Sequence, residues 1–424
     1  MDIAIHTLGC KVNRCDADSL AAGLRNLGHN VFSGAFKRRA DVFVVNTCTV
    51  THTGDKKSLQ MLRRARRLNP GAFVAMCGCL AKATESAPPA EADFVFDARK
   101  PDDFISQLEK ISATHFIKTP GLPAQADKLR TRSFIKIQDG CDRFCSYCIV
   151  PLVRGPLVSL PEEEILSKAK ALIAAGTPEI VLTGIQAASY GYDTGKGNLP
   201  ALIKKTAALY GLKRLRLSST DPWAVTADFL EAVETSPVLC SHFHLSLQSG
   251  CDNILKKMNR RYTTAEYAKA AESLRKLRPE AALTTDMIVG FPGESDSDFA
   301  ESLSFVRKMK FANMHVFEFS PRKGTPAAEF PAQTSHKIKS ERGKIMRELA
   351  EELQADFLNL QIGKTLDVLF ETKTKGHSAN YCPVEVLTPE NLASTIQKVT
   401  ITSREGDCLK GEFDGNPKNQ HLSS

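Results

Sequence analysis

The amino-acid sequence predicts an α/β protein with three successive parts. Short apolar runs alternate with stretches of helical periodicity, first up to about residue 115 and again from 131 to about 360. Continuous apolar strands between helices are typical of parallel sheets that are covered on both faces. From residue 361 the chain has short strands and few helix signals, which predicts a small β-barrel.

Residues 1–115 are predicted to form one N-terminal parallel α/β domain. Its helices are expected at 16–27, at 55–68 and after 72–76, and its strands at 3–7, 41–46, 72–76 and 94–96. A linker containing Pro120, Gly121 and Pro123 is expected from about 116 to 130, because such residues interrupt regular structure.

Residues 131–360 are predicted to form a second α/β domain with six strands. The expected strands are 134–137, 179–183, 212–217, 242–247, 283–289 and 314–319. Six strand–helix repeats fit a partial, open (β/α)6 barrel, in which chemistry belongs on loops at the carboxyl ends of the strands. A long helix at 335–360 is expected to lead into the third part, residues 361–424, with strands at 365–370, 384–387 and 398–402.

Composition limits the possible partners and compartment. Lys and Arg number 56 against 48 Asp and Glu, a formal net charge of +8 that suits a polyanion such as RNA. We see neither a signal peptide after Met1 nor an apolar stretch of about 20 residues, so we expect a cytoplasmic protein. The 12 cysteines then need an explanation other than disulfides.

The strongest motif is the C-x3-C-x2-C of Cys141, Cys145 and Cys148, directly after the first strand of the second part. Three thiolates so close can hold three irons of a [4Fe–4S] cluster and leave the fourth iron open for S-adenosylmethionine. The alternative is a zinc site. A structural zinc ion is bound by four protein ligands, and no fourth Cys or His lies in this loop.

A second cysteine set is dispersed in the sequence. Cys10, Cys48 and Cys79 each follow a predicted parallel strand, so they can converge at the carboxyl edge of one sheet. There they could hold a second cluster. The alternative is that they are small buried hydrophobic residues, as cysteines at strand ends commonly are.

The residues around both sets resemble the radical SAM methylthiotransferase family over nearly the whole chain. The matching strings are TLGCKVN (7–13), NTCTVT (46–51), GCLAK (78–82), GCDRFCSYCIVPLVRG (140–155), LTGI (182–185), HLSLQSG (244–250) and DMIVGFPGES (286–295). The resemblance implies two [4Fe–4S] clusters, one on each cysteine set. Cys79 is preferred to Cys77 because the family pattern is Gly-Cys.

The resemblance also implies contacts to S-adenosylmethionine, at positions that could otherwise be ordinary strand-end turns. These are Tyr147, Gly184, Ser219, Gln248 and Gly290. No catalytic residue beyond the cluster ligands is expected.

The other cysteines, for which we expect structural roles, are Cys15, Cys77, Cys240, Cys251, Cys382 and Cys408. One departure concerns Ser159, which family members follow with Arg; here Leu160 follows it, which leaves substrate contacts near this loop open.

Three further features bear on RNA. Lys and Arg at 56, 57, 63, 64, 66 and 67 fall on one predicted helix, and 256, 257, 260 and 261 form a second basic cluster. Each is either a phosphate-binding surface or a solvated helix face. The stretch 376–386 resembles the TRAM module, a small RNA-binding β-barrel, with a generic β-domain as the alternative. We interpret His242 and His244 as strand residues rather than ligands.

The family resemblance implies a function. The enzyme is expected to add a methylthio group to C2 of N6-threonylcarbamoyladenosine next to the tRNA anticodon, with a flavodoxin or ferredoxin as electron donor. Lys11-Val12 and the Tyr190–Asp193 run resemble that branch of the family. The alternatives are isopentenyl-adenosine in tRNA, a ribosomal protein side chain, or a zinc-containing RNA-binding protein without catalysis.

Overall fold

A computed structural model describes residues 1–115 and 131–413 and confirms the predicted α/β class. The predicted linker at 116–130 lies outside the described residues. The strands are β1 Asp2–Thr7, β2 Asn30–Ser33, β3 Val42–Thr47, β4 Phe73–Gly78, β5 Phe94–Val95, β6 Arg132–Asp139, β7 Val158–Ser159, β8 Glu179–Gly184, β9 Arg214–Leu217, β10 His242–His244, β11 Ala282–Val289, β12 Asn313–Glu318, β13 Thr365–Phe370, β14 Lys375–Ser378, β15 Pro383–Val386, β16 Ile396–Glu405 and β17 Cys408–Phe413.

The α-helices of the described residues lie between these strands, and the longest of them leads into the C-terminal part. They are α1 Lys11–Asn26, α2 His52–Leu68, α3 Cys79–Ala83, α4 Pro101–His115, α5 Val150–Arg154, α6 Glu162–Ala174, α7 Leu199–Ala207, α8 Ala227–Glu234, α9 Asp252–Lys257, α10 Thr264–Leu277, α11 Asp296–Met309 and α12 His336–Asn359.

The described chain divides into two compact units. The first contains residues 1–115, Asp139–Val158 and Ser320–Ala328, and the second contains 131–138, Ser159–Phe319 and 329–413. By its contacts the loop with Cys141 groups with residues 1–115, and its assignment to the second domain in sequence stays a prediction. Both cysteine sets therefore belong to one compact unit.

The first unit is built on a five-stranded parallel sheet with the order β2-β1-β3-β4-β5. All six residues of its central strand, Val42–Thr47, are buried. Apolar clusters cover both faces, one with Leu24 and Phe104 and the other with Leu62 and Met76. Such two-sided burial explains why these strands are continuous apolar runs. A helix was predicted after 72–76, and α3 follows β4 there; β2 and α4 were not predicted.

The second unit contains the six parallel strands expected of a partial barrel, namely β6, β8, β9, β10, β11 and β12. They form two sheets, β7-β6-β8-β9 and β10-β11-β12, and single bridges such as Thr220–Leu245 link the two sheets. Leu182, Leu215, Phe243 and Leu283 point from the strands into one large apolar core shared with the helices.

The C-terminal part is a closed barrel with the order β13-β14-β15-β17-β16, as the sequence predicted, although β14 and β17 were missed. Val368, Val384 and Leu409 fill its interior. It packs against the amino ends of the parallel strands: Arg216 donates to the Ala379 carbonyl at 3.2 Å. The guanidinium carbon of Arg216 lies 4.7 Å from the Tyr381 ring centroid.

None of the helices in residues 1–115 and 131–413 combines the length and apolar character needed to cross a bilayer.

Candidate functional site

The first cysteine set converges at the carboxyl edge of the N-terminal sheet. Cys10 precedes α1, Cys48 follows β3, and Cys79 begins α3 directly after β4. Gly9 has a φ of +95°, and a Cβ there would lie 3.2 Å from the Cys48 sulfur. Glycine is therefore required both by the left-handed backbone and by the close approach of the thiol.

Burial and mutual proximity shape the thiols of this set. The pKa of Cys79 is raised to about 11, mainly by burial; the neighbouring Cys10 and Cys48 also raise it, and Arg154 lowers it. The pKa of Cys48 is raised for the same reasons, burial and the neighbouring Cys10. Thiols held together in this way need a cation or a metal to exist as thiolates.

Cys77 occupies a different environment from Cys79. It is 1% exposed and lies in the apolar cluster of Ile3 and Val44. Because successive residues of a strand face opposite sides of the sheet, Cys77 on β4 faces that core. The choice of Cys79 as the ligand stays a prediction, and this packing supports it.

Amide side chains of the matching strings fix the cysteine loops. Asn13 donates to the carbonyl of Leu8 at 2.8 Å and to that of Thr47 at 2.9 Å. Asn46 in turn donates to the Asn13 carbonyl at 2.7 Å. These bonds tie the loop after β1 to the loop after β3, so the two motifs form one local structure.

The second cysteine set lies in a loop that is held by backbone hydrogen bonds. The Cys141 amide donates to the Gly155 carbonyl at 3.1 Å, and the Cys148 amide donates to the Cys145 carbonyl at 3.0 Å. Cys145 is buried, while Cys141 and Cys148 are half-buried. The loop is also held from residues 320–328, since the Ala327 amide donates to the Ser146 carbonyl at 2.8 Å.

The two cysteine sets are joined by direct packing. Ile149, which follows Cys148, and Val153 form a small buried cluster with Cys79. Helices α5 and α3 are thus in contact, and each begins next to a ligand candidate. Both proposed metal-binding loops are held against one another within the first unit.

Arg154 links the two cysteine loops through charged hydrogen bonds. Its guanidinium donates to Cys79 Sγ at 3.5 Å and to carboxylate oxygens of Asp16 and Asp139 at 2.9 and 3.0 Å, and it also bonds Asn13. Burial alone would lower the pKa of Arg154, but these anionic neighbours raise it above its usual value. No role was predicted for Arg154, because its partners are far away in the chain.

A second buried arginine secures the start of the basic helix. Arg322 donates to the Thr49 carbonyl at 2.9 Å and to Asp55 at 2.7 Å. It also lies 3.1 Å from His52 Nδ1. The amino end of α2, just after Cys48, is therefore anchored to residues 320–328 of the same unit.

The predicted S-adenosylmethionine contacts in the second unit lie at carboxyl ends of strands. Gly184 ends β8, Ser219 follows β9, and Gly290 follows β11. Gln248 has a φ of +70° and bonds β11 on both sides, its amide donating to the Asp286 carbonyl at 2.9 Å. Tyr147 belongs to the first unit, in the loop of Cys145 and Cys148.

At two of these positions, close packing by itself explains why the residue is glycine. A Cβ on Gly184 would lie 2.9 Å from Gln138 Oε1, and one on Gly290 would lie 2.5 Å from Lys339 Cγ. Gly290 also has a φ of +66°. Their cofactor roles stay predictions, because packing alone accounts for glycine at both positions.

The departure at Leu160 lies beside the motif typical of one family branch. Asp193 accepts hydrogen bonds from the Ser159 amide at 2.8 Å and from its hydroxyl at 2.5 Å. The Tyr190 hydroxyl donates to the Leu160 carbonyl at 3.1 Å. The Tyr190–Asp193 run thus holds the segment in which the usual arginine is replaced, and the Leu160 side chain packs on the apolar core.

In the predicted basic helix, Arg63, Arg64 and Arg66 have partners within the first unit, and the remaining basic residues form an exposed face. Arg66 donates to the Ala72 carbonyl at 2.8 Å and pairs with Asp93. Lys56, Lys57 and Arg67 are exposed, and no ion pair in residues 1–115 and 131–413 involves them.

In the second predicted basic cluster, two of the four residues have internal partners. Arg260 pairs with Asp221, and Lys257 donates to the Gly293 carbonyl at 2.8 Å. Lys256 and Arg261 are exposed. The first cluster therefore offers the larger exposed basic face.

His242 and His244 are strand residues, as expected. They lie on β10, and a single hydroxyl, that of Thr284, is 3.2 Å from His242 Nε2 and 3.1 Å from His244 Nδ1. His244 also approaches Asp286 and, beyond it, His315. The meeting of these three residues was not predicted.

Comparisons with known proteins agree with this site. A family model described as the radical SAM superfamily matches residues 135–306, and one described as the uncharacterized protein family UPF0004 matches residues 2–96. The solved radical S-adenosylmethionine methyltransferase TsrM from Kitasatospora setae has a TM-score of 0.55 at 13% identity, covering 77% of each chain, which shows a shared fold. Fold and cysteine loops together define a radical SAM protein.

Curated relatives narrow the class. The threonylcarbamoyladenosine tRNA methylthiotransferase MtaB of Bacillus subtilis is 35% identical over 97% of this chain and 96% of its own length. A tRNA-2-methylthio-N(6)-dimethylallyladenosine synthase of Maricaulis maris is 32% identical over 98% and 97%. The chain belongs to the radical SAM tRNA methylthiotransferase family, whose cofactors are S-adenosylmethionine and [4Fe–4S] clusters.

Proposed function

We propose that this enzyme adds a methylthio group to C2 of N6-threonylcarbamoyladenosine next to the anticodon of tRNA. The observation that carries the proposal is the junction of two cysteine sets within one compact unit, packed through Cys79, Ile149 and Val153. When bound, the two clusters would supply reductive cleavage of S-adenosylmethionine to a carbon-centred radical, and the sulfur to be transferred.

The number of cysteines fits a pair of clusters better than single metal ions. Each set supplies three thiols, whereas a structural zinc needs four protein ligands, and no fourth Cys or His lies in the loop of Cys141. Three thiolates on a [4Fe–4S] cluster leave one iron open. This ligand count counts against the zinc-containing binding protein. Cys10, Cys48 and Cys79 would hold one cluster, and Cys141, Cys145 and Cys148 the other.

The protein's own contribution is orientation and charge. Arg154 would neutralise thiolate charge at Cys79 through its hydrogen bond, and Asp16 and Asp139 would keep that guanidinium in place. The Asn13 bonds to both neighbouring loops fix where Cys10 and Cys48 stand. A rigid, buried frame of this kind limits side reactions of a radical by excluding water.

Two observations favour the threonylcarbamoyl branch. Relatives named for threonylcarbamoyladenosine include proteins 33 to 35% identical to this chain. The Tyr190–Asp193 run, which resembles that branch, makes specific bonds to Ser159 and Leu160. Relatives named for dimethylallyladenosine are 32 to 34% identical, so that substrate is the second candidate.

RNA binding and electron supply complete the proposal. The exposed Lys56, Lys57 and Arg67 would contact tRNA backbone, and the C-terminal barrel would bind RNA as TRAM modules do. Flavodoxin or ferredoxin would provide the electron, in the cytoplasm.

Mass spectrometry of tRNA nucleosides tests the substrate. Cells lacking the gene should lose 2-methylthio-N6-threonylcarbamoyladenosine and keep the 2-methylthio isopentenyl derivative, and a plasmid copy should restore the missing nucleoside. A plasmid carrying Cys141→Ala is the matched control and should not restore it. Loss of the isopentenyl derivative instead would overturn the substrate assignment while leaving methylthio transfer intact.

A further inference from the structure

The inner face of the second unit's β10-β11-β12 sheet is polar, whereas its outer face is apolar. Phe243, Leu283 and Met287 face the core on the helix side. The parallel register pairs Asp286 with His315, and it pairs His244 with Thr284 two residues before Asp286. Since alternate residues share a face, His244, Asp286 and His315 are brought together on the side opposite the core.

These three side chains converge closely. His244 Nε2 lies 3.3 Å from one oxygen of Asp286, and His315 Nδ1 lies 3.1 Å from the other. The three ligand atoms, one from each residue, all lie within 4.8 Å of one another. An ion bound at about 2.1 Å to each ligand needs the ligand atoms about 3.0–3.4 Å apart, so small side-chain adjustments would suffice.

The buried ring of His244 is oriented like that of a metal ligand. The residue is 9% exposed, and its Nε2 lies 3.3 Å from Asp286 without the alignment of a good hydrogen bond. Its other nitrogen, Nδ1, lies 3.1 Å from the Thr284 hydroxyl, which orients the ring. One nitrogen directed at the other ligand candidates, with the opposite nitrogen held by a hydrogen-bond partner, is the arrangement of metal-ligating histidines.

We propose that His244, Asp286 and His315 form a binding site for one divalent transition-metal ion, separate from both cysteine sets. Two imidazoles and one carboxylate suit Zn²⁺, Fe²⁺ or Co²⁺ rather than Mg²⁺ or Ca²⁺, which prefer oxygen ligands. Three protein ligands leave coordination positions open, and the His315 side chain is 65% exposed. The bound ion is therefore a Lewis acid that can accept an oxygen or nitrogen donor from a small molecule. The site does not depend on the proposed substrate.

Zinc binding to the full chain with reconstituted clusters tests this site. Under anaerobic conditions the protein is equilibrated with Zn²⁺, desalted, and measured for zinc and iron by elemental analysis. We expect about one zinc per chain above the iron, and a zinc K-edge absorption spectrum showing only nitrogen and oxygen ligands. His315→Ala should lose this zinc. His336→Ala, at an exposed histidine that begins α12, should keep it.

A further variant and two folding controls distinguish the loss of a zinc ligand from misfolding. Thr284→Val removes only the hydroxyl that orients His244 and should weaken zinc binding about 10–100-fold. Circular dichroism and iron content should stay at the level of the unaltered protein in His315→Ala. Sulfur in the zinc ligand shell, equal zinc loss in His315→Ala and His336→Ala, or no retained zinc in a folded protein would each overturn the proposal.

Discussion

The guanidinium of Arg154 donates a hydrogen bond to the sulfur of Cys79 across 3.5 Å, linking the end of one cysteine loop to the ligand candidate of the other. Arg154 is only 4% exposed, and so is one of its two carboxylate partners, Asp16. A buried charge with several buried partners is costly to disturb, because each partner left alone keeps its desolvation penalty.

Replacing Arg154 should therefore destabilise the first unit. We expect Arg154→Gln to lower the free energy of unfolding by about 3–5 kcal/mol, since Asp16 and Asp139 would remain buried without a counter-charge. A urea titration followed by circular dichroism measures this. Arg63→Gln is the control, because Arg63 and Glu91 form an ion pair on the surface of the same unit, and losing that pair should cost much less. Equal destabilisation by the two variants would contradict the role given to Arg154.

The two cysteine sets should be separable by function. Cys141→Ala should abolish cleavage of S-adenosylmethionine and leave about four irons per chain, those of the other cluster. Changing Cys10, Cys48 and Cys79 together to Ala should leave the cleavage but stop methylthio transfer. Iron analysis and detection of 5′-deoxyadenosine give both readouts. Cys240→Ala, at a buried cysteine outside both sets, is the control. Full methylthio transfer by the triple variant would show that the assignment is wrong.

The exposed face of α2 should contribute to tRNA affinity by binding phosphates. Changing Lys56, Lys57 and Arg67 to Ala should weaken binding similarly for different tRNAs and reduce the salt slope by about one for each phosphate that is no longer neutralised. Filter binding across a range of salt concentrations measures this. Changing Lys168, Lys170 and Lys205 to Ala removes the same charge from helices of the second unit. If both triple variants behave alike, α2 is an ordinary solvated surface.

Acid should weaken the junction around Glu179. This carboxylate is fully buried; burial alone would raise its pKa, but Arg216, Arg132 and Arg214 lower it from 4.5 to about 2. Its stabilising contribution is therefore present above about pH 4.5 and disappears as the pH falls toward 2.

The matching experiment compares stability at two pH values. Glu179→Gln should lower the free energy of unfolding by about 3 kcal/mol at pH 6 and by clearly less at pH 3, where this carboxyl is protonated in the unfolded chain while the native carboxylate keeps most of its charge. Glu163→Gln, at an exposed residue of α6, should change little at either pH. A difference for Glu179→Gln that does not change with pH would contradict the ionised state of this residue.

Local sequence patterns predicted much of the fold but less of the site. Strands such as Glu179–Gly184 are runs of buried apolar residues, and the sequence marks them directly. β2 and β17 were missed because short strands rich in Asn, Ser, Lys or Gly carry little apolar signal. The cysteine loops were predicted because each follows such a strand.

Residues that meet only through strand register or helix packing could not be predicted. Asp286 meets His315 because β11 and β12 pair at that register, and no local pattern encodes this. Arg154 finds Asp16 because α5 packs near α1 within the first unit, across most of the N-terminal domain in sequence.

Tyr381 has a consequence for how such enzymes can be recombined. Its ring is flanked by the guanidinium groups of Arg132 and Arg216, 5.1 and 4.7 Å away, and by His242 at 5.0 Å. A C-terminal module exchanged from a relative without an aromatic residue at this place would uncover those arginines and their shared carboxylate. The C-terminal barrel therefore cannot be exchanged freely between relatives. A chimera needs the tyrosine, or a matching change at the amino ends of the strands, to fold as one cooperative body.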